Sequence, residues 1–182
     1  MIERFANFLF FQIGWFATVA GAALGFPWAG PILAVVLVAF QLAVAPDRGP
    51  RFKTIVAVAA LGTLLDTALR WAGVTAFPAW PATPWPCPPW ITALWALYAS
   101  TLGSSMAWLQ GRPAVAALLG AVSGPLSYLA AERMGAVVLA TDPLRRWGVL
   151  ALAWAVAVPV TLAIARRCAA GRPVEGGPPA SA

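Results

Sequence analysis

Residues 54–74 read TIVAVAALGTLLDTALRWAGV, and their only ionisable side chains are Asp66 and Arg70. About 20 predominantly apolar residues suffice to cross the roughly 30 Å hydrocarbon core of a bilayer. A helix of a soluble domain would carry a charged face along its whole length, and this one does not. An acid and a base inside a spanning helix are costly, which marks them as the first place to look for function.

Similar segments flank this one on both sides. Apolar periodicity predicts spanning helices over about Phe8–Phe26, Ile32–Ala45, Thr54–Val74, Trp90–Leu109, Ala114–Ala131 and Trp147–Ala165. Gly25-Phe26-Pro27 closes the first and opens the second, because Gly ends helices and Pro starts them. Hydrophobic residues make up 61% of the 182-residue chain and charged residues 10%. Soluble domains carry about a quarter charged residues, so lipid must cover much of this surface. The fold class is therefore all-α: a polytopic membrane protein, a bundle of about six transmembrane helices. Residues 1–167 form the transmembrane domain, and 168–182, basic and then rich in Gly and Pro, form a disordered cytoplasmic tail. Ala20-Gly21-Ala22 resembles a signal-peptidase site, but Glu3 beside Arg4 and the polar Asn7 and Gln12 favour a retained first helix. The stretch Phe77–Pro89 is too rich in proline for a helix; its indoles place it at the membrane interface.

The basic residues set the orientation. With the N-terminus inside, eight lie at cytoplasmic ends (Arg4, Arg48, Arg51, Lys53, Arg112, Arg166, Arg167, Arg172) and four outside (Arg70, Arg133, Arg145, Arg146). This bias predicts a multi-pass protein of the bacterial inner (cytoplasmic) membrane with both termini cytoplasmic. Trp28, Trp71, Trp80, Trp85, Trp90 and Trp147 then form an outer aromatic belt. Cys87 falls outside and Cys168 inside, so they cannot pair within one chain. The net charge of +6 is spread over helix ends and forms no stripe, so nucleic acid is not expected as a partner.

The chain has no histidine. That removes serine–histidine hydrolysis, most zinc sites and histidine-ligated haem. No cofactor or metal is expected, and the balance leans away from an enzyme. The candidate intramembrane polar site is Asp66, Arg70, Ser127, Tyr128 and Glu132. Asp66 and Arg70, spaced i,i+4, share one helix face. They form either a structural ion pair that pins the third helix or a binding or proton-relay site. Ser127, Tyr128 and Glu132 follow Pro125 at a similar depth, either as part of a proline-bent helix end or as a polar outer pocket. Ala17, Gly21 and Gly25, with Gly120 and Gly124, make small-residue faces of the kind that pack membrane helices. Ser100, Thr101, Gly103, Ser104 and Ser105 read as another such face on the fourth helix. The sixth helix reads as a packing or lipid-facing element.

Asn7-Phe8-Leu9-Phe10-Phe11-Gln12-Ile13-Gly14-Trp15-Phe16, Gly62-Thr63-Leu64-Leu65-Asp66, Pro89-Trp90-Ile91 with Leu94-Trp95, and Gly124-Pro125-Leu126-Ser127-Tyr128 carry a resemblance. Together they resemble the bacterial inner-membrane family called domain of unknown function 2878. That resemblance implies a non-catalytic accessory protein, linked to membrane fatty-acyl modification or oxidative stress. Its partners would be the lipid bilayer and another membrane protein or a lipid-modifying enzyme. A second likeness is architectural. Substrate-binding subunits of energy-coupling-factor transporters are also six-helix bundles, which implies the alternative of a small-solute binding or transport subunit with an outward-facing polar pocket.

Overall fold

A computed structural model of the chain describes residues 2–78, 80 and 87–170. The described residues form α1 (Ile2–Ala23), α2 (Ala29–Val44), α3 (Arg48–Trp71), α4 (Pro89–Ala99), α5 (Pro113–Arg133) and α6 (Leu150–Ala170). Two short strands, β1 (Thr75–Ala76) and β2 (Val138–Leu139), pair antiparallel. The protein is an all-α membrane bundle. Four helical stretches, Arg4–Ala23, Arg48–Trp71, Pro113–Arg133 and Leu144–Ala170, are long and apolar enough to cross a bilayer. Phe5, Phe16, Leu64, Leu118, Leu126 and Leu152 stand exposed on them, which is tolerable only where lipid replaces water. Residues 168–170, expected in the tail, continue α6; the rest of that tail lies outside the described residues.

The fourth helix is shorter than expected. It ends at Ala99 after 11 residues, about 16 Å at 1.5 Å per residue and so half a bilayer core. The reason lies in the hydroxyl-rich segment that follows. Ser100 Oγ donates to the Leu97 carbonyl and Thr101 Oγ1 to the Tyr98 carbonyl, both at 2.7 Å. These bonds satisfy carbonyls of the last turn and compete with helix propagation. The chain turns through residues 100–106 to a 3₁₀ turn at Ala107–Leu109. Ser100, Ser104 and Ser105 therefore do not form a helical packing face. Asn7 Nδ2 donates to Gln41 Oε1 (2.6 Å) and to the Ser100 carbonyl (3.2 Å). Ser104 and Ser105 donate to Asn7 Oδ1 at 2.6 and 2.9 Å. This cluster ties α1, α2 and the 100–106 turn together at one end of the bundle.

The short α4 is the central post, packed on α1, α2 and α3, with Trp90, Ile91, Ala93, Trp95, Leu97, Tyr98 and Ala99 buried. Its N-terminal lead-in is drawn into the bundle. The Cys87 N–H donates to Thr67 Oγ1 at 3.1 Å, and Phe77 meets Trp90 edge-on at 5.6 Å. Cys87 and Trp90 are both 2% exposed, so both side chains pack inside the bundle; Trp85 lies outside the described residues. At this end, β1 and β2 clamp the α3–α4 and α5–α6 connections. Glu132 accepts from the Leu139 N–H (3.1 Å) and pairs with Arg146.

Candidate functional site

Two glycines one turn below two polar residues build the centre of the site. A Cβ on Gly62 of α3 would lie 1.9 Å from Trp95 Cδ2, and one on Gly124 of α5 would lie 2.1 Å from Trp154 Cγ. Only glycine leaves room for these indoles. The two rings stack face to face, 5.0 Å between centroids and 12° between planes. Tyr98 stands edge-on to both, and its hydroxyl meets Thr161 Oγ1 at 3.0 Å. Four residues after Gly62 comes Asp66, and four after Gly124 comes Tyr128, so each sits on the same helix face as its glycine. Trp95 Nε1 donates to Asp66 Oδ2 at 2.6 Å, and the Tyr128 hydroxyl donates to Asp66 Oδ1. The carboxylate is 1% exposed. A buried carboxylate needs donors, and two arrive from two different helices.

Beside this centre lies a cavity of about 640 Å³. Phe8 to Val19 of α1 and Leu119 to Ala131 of α5 line its two long walls, a length of about 17 Å along each helix. Leu94, Trp95 and Tyr98 of α4 form the back, with Trp154 of α6 and Asp66 of α3. α1 packs chiefly on α2 and α4, and α5 on α6, so the space between α1 and α5 is a slot. Its lining residues Phe8, Phe16, Ser123 and Leu126 are exposed, so it is open along the side between α1 and α5. Asp66 is the one charged residue among those that line it. Each carboxylate oxygen has more than one acceptor position, so Asp66 retains capacity for a ligand donor.

The other expected residues fall as follows. Ser127 lines the cavity and donates to the Gly124 carbonyl at 2.7 Å. Arg70 is half-buried in the last turn of α3 and does not line the cavity. Asp66 belongs to neither of the ion pairs Arg51–Asp47 and Arg146–Glu132. Uncharged donors across the bundle hold Asp66, in place of the expected guanidinium on its own helix. Glu132 turns toward Arg146, away from this centre.

Of the small residues, Gly21, Gly120 and Gly124 make close contacts inside the chain. A Cβ on Gly120 would lie 2.3 Å from the Trp154 carbonyl oxygen, and one on Gly21 3.3 Å from Ala29 Cβ. Ala17 is half-buried, and Gly25 has φ +83° in the turn after α1. Sequence reasoning missed Trp95, Tyr98, Trp154 and Thr161. The signal was there in the two indoles. Tryptophan favours the interface, so Trp95 and Trp154, far from the ends of apolar segments, mark core or site positions.

The chain belongs to the family described as protein of unknown function (DUF2878), whose model matches residues 4–160. Neither the curated proteins nor the solved structures give a match.

Proposed function

We propose that this protein binds an elongated, largely apolar molecule taken sideways from the bilayer into the slot between α1 and α5. It is the small-solute binding reading of the sequence, with an aromatic slot in place of a polar pocket. The observation that carries it is the cavity of about 640 Å³ walled by aromatic side chains, with one hydrogen-bonded carboxylate on its wall. Ligand sites are mostly apolar hollows with a few fixed polar groups. The accessory-protein reading has less support, because Gly21, Gly120 and Gly124 face neighbours within the chain. The eight-to-four division of basic residues supports a multi-pass inner-membrane protein with both termini cytoplasmic. Under that topology Asp66, five residues before the end of α3, lies in the outer half of the bilayer.

The test compares wild type with Ser123→Trp, which fills the mouth of the slot from an exposed position. Both proteins are purified from native membranes, and the molecules that stay bound through size exclusion are identified by mass spectrometry. The expected result is about one specific compound per wild-type chain, absent from Ser123→Trp. Identical profiles, containing only bulk lipid in bulk proportions, would refute the reading.

A further inference from the structure

We infer that the slot selects a cationic amphiphile, an alkyl chain bearing an ammonium-type group that rests against Asp66 between aromatic faces. The inference rests on the binding reading above and adds the charge of the ligand. Three observations converge on it.

The first is charge. Among the residues lining the slot, Asp66 is the only aspartate or glutamate, and neither arginine nor lysine is present. An anionic ligand would meet a like charge in an apolar enclosure. A neutral hydrocarbon would gain nothing from a carboxylate that is costly to keep there. A cation would compensate it.

The second is the arrangement of donors. Trp95 and Tyr128 each occupy one carboxylate oxygen and hold the group in place. These are uncharged donors, so they orient Asp66 without neutralising it. Asp66 is among the residues that line the slot, so a cationic ligand there would meet its charge.

The third is the aromatic lining. Trp95, Tyr98, Tyr128 and Trp154 line the slot together with Asp66, and Phe11, Trp15 and Phe16 line its α1 wall. Aromatic faces attract cations through the ring quadrupole, most strongly when the cation is desolvated, and aromatic boxes recognise quaternary ammonium groups this way. The slot itself, about 17 Å long by helix rise, suits an extended alkyl chain.

The experiment uses three probes with one chain: 12-bromododecyltrimethylammonium, 12-bromododecanol and 12-bromododecyl sulfate. Bromine quenches tryptophan on contact, and the slot holds several indoles. The full-length protein in uncharged-detergent micelles is titrated with each probe, as mole fraction in the micelle, with Ser123→Phe, which fills the mouth without adding an indole, as the blocked control. The expected result is saturable quenching by the ammonium probe at a mole fraction at least tenfold below that of the alcohol and the sulfate. Asp66→Asn should bring the ammonium probe to the level of the alcohol. If all three probes saturate alike and Ser123→Phe abolishes each, the slot binds but the charge inference is overturned. A preference for the sulfate overturns it as well. If no probe saturates, both the inference and the binding reading fall. Should Asp66→Asn not accumulate, the three-probe comparison in wild type decides alone.

Discussion

Replacing Asp66 by alanine should destabilise the bundle, whereas replacing it by asparagine should not. The carboxylate accepts from the Trp95 indole and from the Tyr128 hydroxyl, both buried. Alanine leaves both donors without an acceptor. A buried polar group stripped of its partner costs about 1–3 kcal/mol in soluble proteins. Within membranes, hydrogen bonds average only about 0.6 kcal/mol, with a maximum near 1.7. Two donors therefore place the loss for Asp66→Ala at about 1–3 kcal/mol. Asparagine keeps the shape of the group. Its carbonyl oxygen accepts from Trp95, and its amide donates to a Tyr128 hydroxyl that rotates to accept. The expected loss is below about 1 kcal/mol. The assay is reversible unfolding in mixed micelles with increasing dodecyl sulfate, followed by far-ultraviolet circular dichroism. If Asp66→Ala and Asp66→Asn are equally stable, the two hydrogen bonds do not hold the centre as described.

Other outcomes follow from the same geometry. Gly62→Ala puts a methyl group 1.9 Å from Trp95 Cδ2; overpacking of this kind costs about 1–3 kcal/mol and should weaken the near-ultraviolet dichroism of the stacked indoles. Gly103→Ala, with nothing within 4 Å of its added Cβ, is the control and should match wild type within about 0.5 kcal/mol. Cys87, 2% exposed, should resist a membrane-permeant maleimide in the folded protein, while the half-buried Cys168 should label; rapid labelling of Cys87 would contradict its placement against Thr67. Glu132→Gln breaks a partly exposed ion pair with Arg146, and its effect on unfolding should stay within about 1 kcal/mol.

The spanning helices were legible because a bilayer imposes one simple demand, a long apolar run, and α1, α3, α5 and α6 each meet it. Asp66 and Tyr128 were legible as polar groups inside such runs. Their partners were not. Spacing along one helix reveals i,i+4 neighbours such as Arg70, whereas the contacts that hold Asp66 come from Trp95 on α4 and Tyr128 on α5. Those depend on how each helix is rotated about its axis. Gly62 and Gly124 encode that rotation, since each admits one indole, but a glycine in an apolar run reads the same whether it faces an indole, another helix or lipid. The early end of α4 was harder still. Ser100 and Thr101 occur within spanning helices as well as at their ends, and here their bonds to Leu97 and Tyr98 stop the helix halfway. The burial of Cys87 and Trp90 follows from that short helix, whose start lies inside the bundle.

The central claim is that the space between α1 and α5 holds a bilayer-derived ligand against Asp66. An experimental structure of the protein extracted with its own membrane into lipid nanodiscs tests it most directly. The account predicts α1 and α5 apart, with elongated density running from beside Phe8 past Ser123 and ending within hydrogen-bond or ion-pair distance of the Asp66 carboxylate. Phe16 and Leu126 packed against each other, with the slot closed and no density beside Asp66, would contradict it.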